Sequence, residues 1–165
     1  MIFKDIKYDF KRTKLNKCRI FLIIYRLGNL IEKRNFNILF KKIIISFFRF
    51  LYLLFVFIPF GIEVPFEASI GKGLRLVHLN GIVINKNSII GDNATIFHQV
   101  TIGANENGKD NDKAPKIGKN VYIGAGAKII GDICIGNNVK IGANAVVTRS
   151  VGDNCTVVGN NIIKN

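Results

Sequence analysis

The chain contains two histidines, His78 in "LRLVHLNGIVIN" and His98 in "ATIFHQVTIG". An imidazole can take a proton from a hydroxyl near neutral pH, so an outward-facing histidine suits general-base work. A neighbouring carboxylate would fix its tautomer. Glu63, fifteen residues before His78, is the candidate for that task, and a solvated surface carboxylate is the alternative. His98, flanked by Phe97 and Gln99, is either a competing base or a residue lining the substrate. A catalytic metal would need about three imidazoles or an acidic cluster. The sequence has neither, nor a Ser-His-Asp spacing or a phosphate loop, so metal-free chemistry is expected. Cys18, Cys134 and Cys155 fit no disulfide or metal pattern and read as small apolar fillers in a reduced, cytosolic protein.

A repeat must position these side chains. Ile70, Leu76, Ile84, Ile90, Ile96, Ile102, Ile117, Ile123, Ile129, Ile135, Ile141 and Val147 recur in steps of six, and seven of them are followed by glycine. A helix repeats every 3.6 residues and a strand every two, so neither explains a step of six. A short strand plus a tight turn does: three such sides close a triangular coil, and coils stack at ~4.8 Å with each aliphatic on the one below. The twelve positions make four coils, a prism ~19 Å tall. Periodicity leaves its handedness open. The rhythm breaks twice: Leu76 to Ile84 is two residues too long and Ile102 to Ile117 nine too long. Extra residues cannot enter a filled prism, so both breaks protrude. The first carries His78. The second, polar and ended by Pro115, is an extruded loop over 104–116.

At 165 residues the chain fits one domain with an appendage, 61–165 and 1–60. Of the net charge of +13, residues 1–60 carry +10, with thirteen Lys/Arg against Asp5, Asp9 and Glu32. The same segment is apolar. Ile20, Ile24, Leu27 and Ile31 mark a helix face, and Ile43–Phe60 is a second apolar run that Pro59 is expected to end. Three readings stand for this segment: helices packed on the open end of the prism, a helix lying in the inner membrane surface, or a short span. Aromatic residues do not interleave with the charges, so nucleic acid is not an expected partner.

"IGKGLRLVHLNGIVIN" and "PKIGKNVYIGAGAKIIGDICIGNNVKIGANAVVT" resemble the hexapeptide-repeat acyltransferases, in their serine acetyltransferase-like branch, over about residues 60–158. The resemblance implies a mainly β protein, a left-handed parallel β-helix with an N-terminal α-helical segment. It implies a homotrimer with acetyl-CoA between neighbouring prisms, His78 as catalytic base and Glu63 as its acidic partner. The pantetheine arm would touch Gly103, Gly124, Ala125, Gly142 and Ala143, with Lys140 at a CoA phosphate. Three departures from true serine acetyltransferases bear on the acceptor. Val77 stands where those enzymes place an acid that helps hold the serine amino group. Lys113-Ala114 replaces an Arg-His pair, leaving Lys113 to hold a carboxylate, and the helical segment is short. With "VINKN" at Val83–Asn87, these features look closer to exopolysaccharide and capsule acetyltransferases, the colanic-acid type among them. The expectation is therefore O-acetylation of a sugar hydroxyl on a polysaccharide or its lipid-linked precursor, in the cytoplasm or at the inner membrane face. Serine O-acetylation, amino-sugar N-acetylation and a non-catalytic trimeric scaffold are the alternatives.

Overall fold

The computed structural model describes residues 2–105 and 113–164. All twelve aliphatic positions are buried, each in a strand of two or three residues. These are β1 (Ser69–Ile70), β2 (Arg75–Leu76), β3 (Val83–Ile84), β4 (Ile89–Ile90), β5 (Thr95–Ile96), β6 (Thr101–Gly103), β7 (Lys116–Ile117), β8 (Tyr122–Ile123), β9 (Lys128–Ile130), β10 (Cys134–Ile135), β11 (Lys140–Ile141) and β12 (Val146–Val147). They stack in register into three parallel sheets. One face runs β1-β4-β7-β10, the second β2-β5-β8-β11, the third β3-β6-β9-β12. Ile70 pairs with Ile90, Ile90 with Ile117 and Ile117 with Ile135, so successive coils take 20, 27 and 18 residues. The two rhythm breaks are absorbed without disturbing a single inward rung. The fold is a left-handed parallel β-helix, against the usual crossover hand.

Three rungs lie beyond the twelve. Val64 is buried above Ile84, because Glu63 bridges Val83. Val151 bridges Ile135, and Val157 of β13 (Thr156–Val158) pairs with Ile141. β14 (Ile162–Lys164) returns antiparallel to β13 and covers part of the lower edge. The ends of the extruded loop are placed, but its centre, 106–112, lies outside the described residues.

The helical segment packs against the upper end. It comprises α1 (Ile2–Arg12), α2 (Asn16–Lys33) and a long helix built from α3 (Ile38–Tyr52), a π-turn at Leu53–Phe57 and α4 (Ile58–Phe60). The buried face of α2 is Cys18, Phe21, Leu22, Ile24, Tyr25, Arg26 and Gly28; of the stripe expected at Ile20, Ile24, Leu27 and Ile31, Ile24 is buried and Ile31 packs against the core, but Ile20 is exposed, so the face is rotated from the expected one. The rotation has a cause. Tyr25 donates from its hydroxyl to Ala68 O at 2.6 Å, and Arg26 donates to Ile70 O and Gly71 O, both at 2.6 Å. Buried Asp9 balances Arg26 at 2.8 Å and accepts from the backbone N–H of Gly73 and Leu74. Helices and first coil are thus joined through one buried ion pair. Pro59 does not end the long helix, which runs to Phe60 and stops at Gly61, whose φ of 58° is left-handed. Of the cysteines, only Cys18 is a buried filler; Cys134 is exposed and Cys155 half-buried.

Candidate active site

Two corners of the prism turn through left-handed residues. At the corner after the second face these are Gly81, Gln99, Gly126 and Asn144, with φ of 57°, 57°, 73° and 55°. Three coils place two residues between strand and corner: Phe97-His98, Gly124-Ala125 and Gly142-Ala143. The first coil places four, Val77 to Asn80, and that is where its two extra residues go. Leu79 turns inward and is 3% exposed, while His78 points out and is exposed.

The corner ladder fixes the order of the column. Gln99 N–H donates to Asn80 O, Gly126 N–H to His98 O and Asn144 N–H to Ala125 O, at 2.8, 2.9 and 2.8 Å. His98, Ala125 and Ala143 therefore stack vertically, with the His78 bulge above them. The His78 and His98 rings meet edge to face, with centroids 5.5 Å apart. The Nδ1 of His98 is buried and has no hydrogen-bond partner. Beneath the rings the column narrows to glycine and alanine. A Cβ on Gly124 would lie 2.6 Å from Ala143 N, so the coils are packed backbone to backbone there. The surface has two imidazoles at its head and small side chains below, a shape that admits a long thin arm along the column.

The other predicted residues fall elsewhere. Glu63 is exposed on the third face, beside Val83, and forms no hydrogen bond or ion pair with His78; the ring against His78 is His98. Lys140 is exposed on the second face, below Tyr122. Gly103 ends β6 at the far edge of the third face, where its carbonyl accepts from Gly131 N–H. Lys113 lies beyond that edge, 3.6 Å from Asp132, away from the histidine corner. Only Gly124, Ala125, Gly142 and Ala143 share the column with the histidines. The sequence reading passed over Tyr122, whose ring lies 5.1 Å from that of Phe97 and walls the corner beside His98. Its outward place just before Ile123 was the available signal. Among the described residues no group of three or more His, Cys, Asp or Glu is arranged to hold a metal ion.

The description "Bacterial transferase hexapeptide (six repeats)" matches residues 114–149. Over 138 residues the chain is 42% identical to a serine acetyltransferase of Helicobacter pylori, covering 84% of this chain and 75% of that protein. This chain belongs to the serine acetyltransferase family. Neisseria gonorrhoeae serine acetyltransferase in complex with serine superposes with a TM-score of 0.74 at 30% identity, over 99% of this chain and 67% of that one. A serine acetyltransferase in complex with CoA superposes with a TM-score of 0.70 at 28% identity, over 92% and 57%. The chain thus spans three quarters of the Helicobacter protein and 57–67% of these two solved chains.

These relatives overturn the expected polysaccharide acceptor. The short helical segment had weighed against the serine branch, yet the superposition on the Neisseria serine acetyltransferase takes in 99% of the chain, helices included.

Proposed function

We propose that the chain transfers the acetyl group of acetyl-CoA to the hydroxyl of serine. The observation that carries this reading is the column itself. Among the described residues, an exposed imidazole stands at the only coil whose lead-in to this corner is lengthened, above His98 and the small residues of the column, in a member of the serine acetyltransferase family. The complexes of similar chains with serine and with CoA support both substrates.

In the proposed reaction His78 takes the proton from the serine hydroxyl as its oxygen attacks the thioester carbonyl carbon. Negative charge gathers on the carbonyl oxygen, where a backbone N–H of the turn would steady it. The C–S bond breaks, coenzyme A leaves as thiolate, and the imidazolium returns the proton to sulfur. The products are O-acetylserine and free CoA. His98, with its unpartnered Nδ1, contacts the acceptor. Gly124, Ala125, Gly142 and Ala143 line the pantetheine arm, and Lys140 meets a CoA phosphate. The prism works as a trimer, with the neighbouring prism closing the groove. Three cysteines in no disulfide or metal pattern suit a reducing compartment, the cytoplasm.

Purified protein given acetyl-CoA and L-serine should release free thiol and form O-acetylserine, read by mass. Thiol release that proceeds with sugar hydroxyls and not with serine would overturn the acceptor. Normal activity in His78→Ala together with loss in His98→Ala would overturn the base.

A further inference from the structure

The long helix Ile38–Phe60 presents its more apolar side outward. It has 23 residues, and its most apolar 18-residue stretch has a mean hydropathy of 2.3 and is only 11% buried. Ile45 and Val56 are its buried contacts. The Tyr52 hydroxyl accepts from Val64 N–H at 2.9 Å and donates to Ile62 O at 3.2 Å, and Arg49 pairs with Glu67 at 3.1 Å. These contacts fix which side faces the protein. On the other side Leu39, Ile43, Phe47, Phe50, Leu54 and Ile58 recur at steps of three and four, a single stripe, each between 47% and 67% exposed. Solvated helices do not carry such a stripe uncovered.

We propose that this stripe lies in the headgroup region of an anionic membrane, with the helix parallel to the surface. The charge pattern selects this occupant. From Lys33 to Ile62 there is no Asp or Glu, while Lys33, Arg34, Lys41, Lys42 and Arg49 are present. Lys41 pairs with Glu32 at 3.1 Å, whereas exposed Lys42 sits beside Ile43 near the helix N-terminus, the end where the dipole disfavours cations. An anionic surface uses Lys42 and exposed Arg34, at roughly 1 kcal/mol for each basic residue near it. A second copy of the chain docked on the same stripe would bring two segments of net +10 together. Length alone, about 34 Å at 1.5 Å per residue, would permit a span. Spanning would strip the helix from Ile62, Val64 and Glu67, whereas lying flat keeps every one of these contacts.

The test is flotation of the full chain with vesicles of phosphatidylcholine containing about a third phosphatidylglycerol, beside pure phosphatidylcholine. The native chain should float with the anionic vesicles and not with the neutral ones. Ile43→Glu/Phe47→Glu changes two exposed positions, so the circular dichroism melt should be unaltered while flotation falls about tenfold or more. Lys42→Glu should weaken flotation in a salt-dependent way. Thiol release with serine should be unchanged in both variants, which separates this proposal from the proposed reaction. It is overturned if the native chain fails to float, if neutral vesicles bind as well, or if the double variant floats normally. It is also overturned if light scattering shows the double variant dissociating an assembly while vesicle binding persists, the result expected of a stripe that holds copies together.

Discussion

The two left-handed corners of the prism are built from the same turn and used differently. At the corner after the first face, Gly73, Asn93, Asn120, Asn138 and Asn154 all have positive φ, and every coil reaches them through two residues. The amides form a continuous ladder: Asn93 donates to Asn120 at 3.1 Å, Asn120 to Asn138 at 3.0 Å and Asn138 to Asn154 at 2.9 Å. Each of these amides bonds to a neighbouring coil, and Asn93 Oδ1, at the upper end of the ladder, is left without a partner. At the corner after the second face the lead-in is four residues once and two thereafter, and the ladder gives way to His78, His98, Ala125 and Ala143. There an exposed imidazole and an orphaned Nδ1 remain. Where the period is kept, an amide ladder joins coil to coil, and where it breaks, two imidazole rings stand in its place.

The sharpest way to break the comparison is to truncate one member of each corner. His78→Ala should cut thiol release by ~10²–10⁴, the range for removing a general base, without moving the melting temperature. Equal loss of activity from the asparagine corner would erase the distinction.

Filling the column probes its lower half. Ala143 is exposed, so Ala143→Phe has no core cost. It should raise KM for acetyl-CoA about tenfold or more, about 1.4 kcal/mol, and leave KM for serine little changed. An unchanged KM for acetyl-CoA would move the arm to another surface.

The asparagine corner should answer in stability alone. Asn120→Ala puts a side chain with no local hydrogen bond at φ 58° and breaks the ladder on both sides. The expected loss is ~1–2 kcal/mol, read by urea denaturation, with activity intact. Asn120→Gly relieves the backbone cost but not the broken ladder, so it should recover part of that loss.

The contrast also explains how much could be read in advance. A buried aliphatic every sixth residue is a local signal, and it located all twelve strands of the main prism. Val151 and Val157 escaped because the step from Val147 to Val151 is four. His78 was legible because a break in a strict period stands out, and the small residues under it because they occupy one phase of the repeat. The helix contacts were hidden. Asp9, Arg26 and the carbonyls of Ile70 and Gly71 are unique long-range partners, and no periodicity announces them. The acceptor was misread because weight was given to single departures such as Val77 over a match that runs through 84% of the chain.

Val77 offers the smallest and most pointed test of what the broken corner recognises. It is half-buried and immediately precedes His78, where the serine acetyltransferases that the sequence resembles carry an acid toward the serine amino group. Valine offers no charge to the ammonium of the proposed acceptor. Val77→Asp restores a carboxylate at a partly exposed position, where an ion pair is worth ~0.2–1 kcal/mol. KM for serine should therefore fall by up to about fivefold, kcat should change little, and high salt should remove most of the gain. A drop in kcat with no gain in KM would mean that residue 77 does not face the acceptor. The amino group would then have to be met from elsewhere, with His98 the nearest unsatisfied polar side chain at this corner.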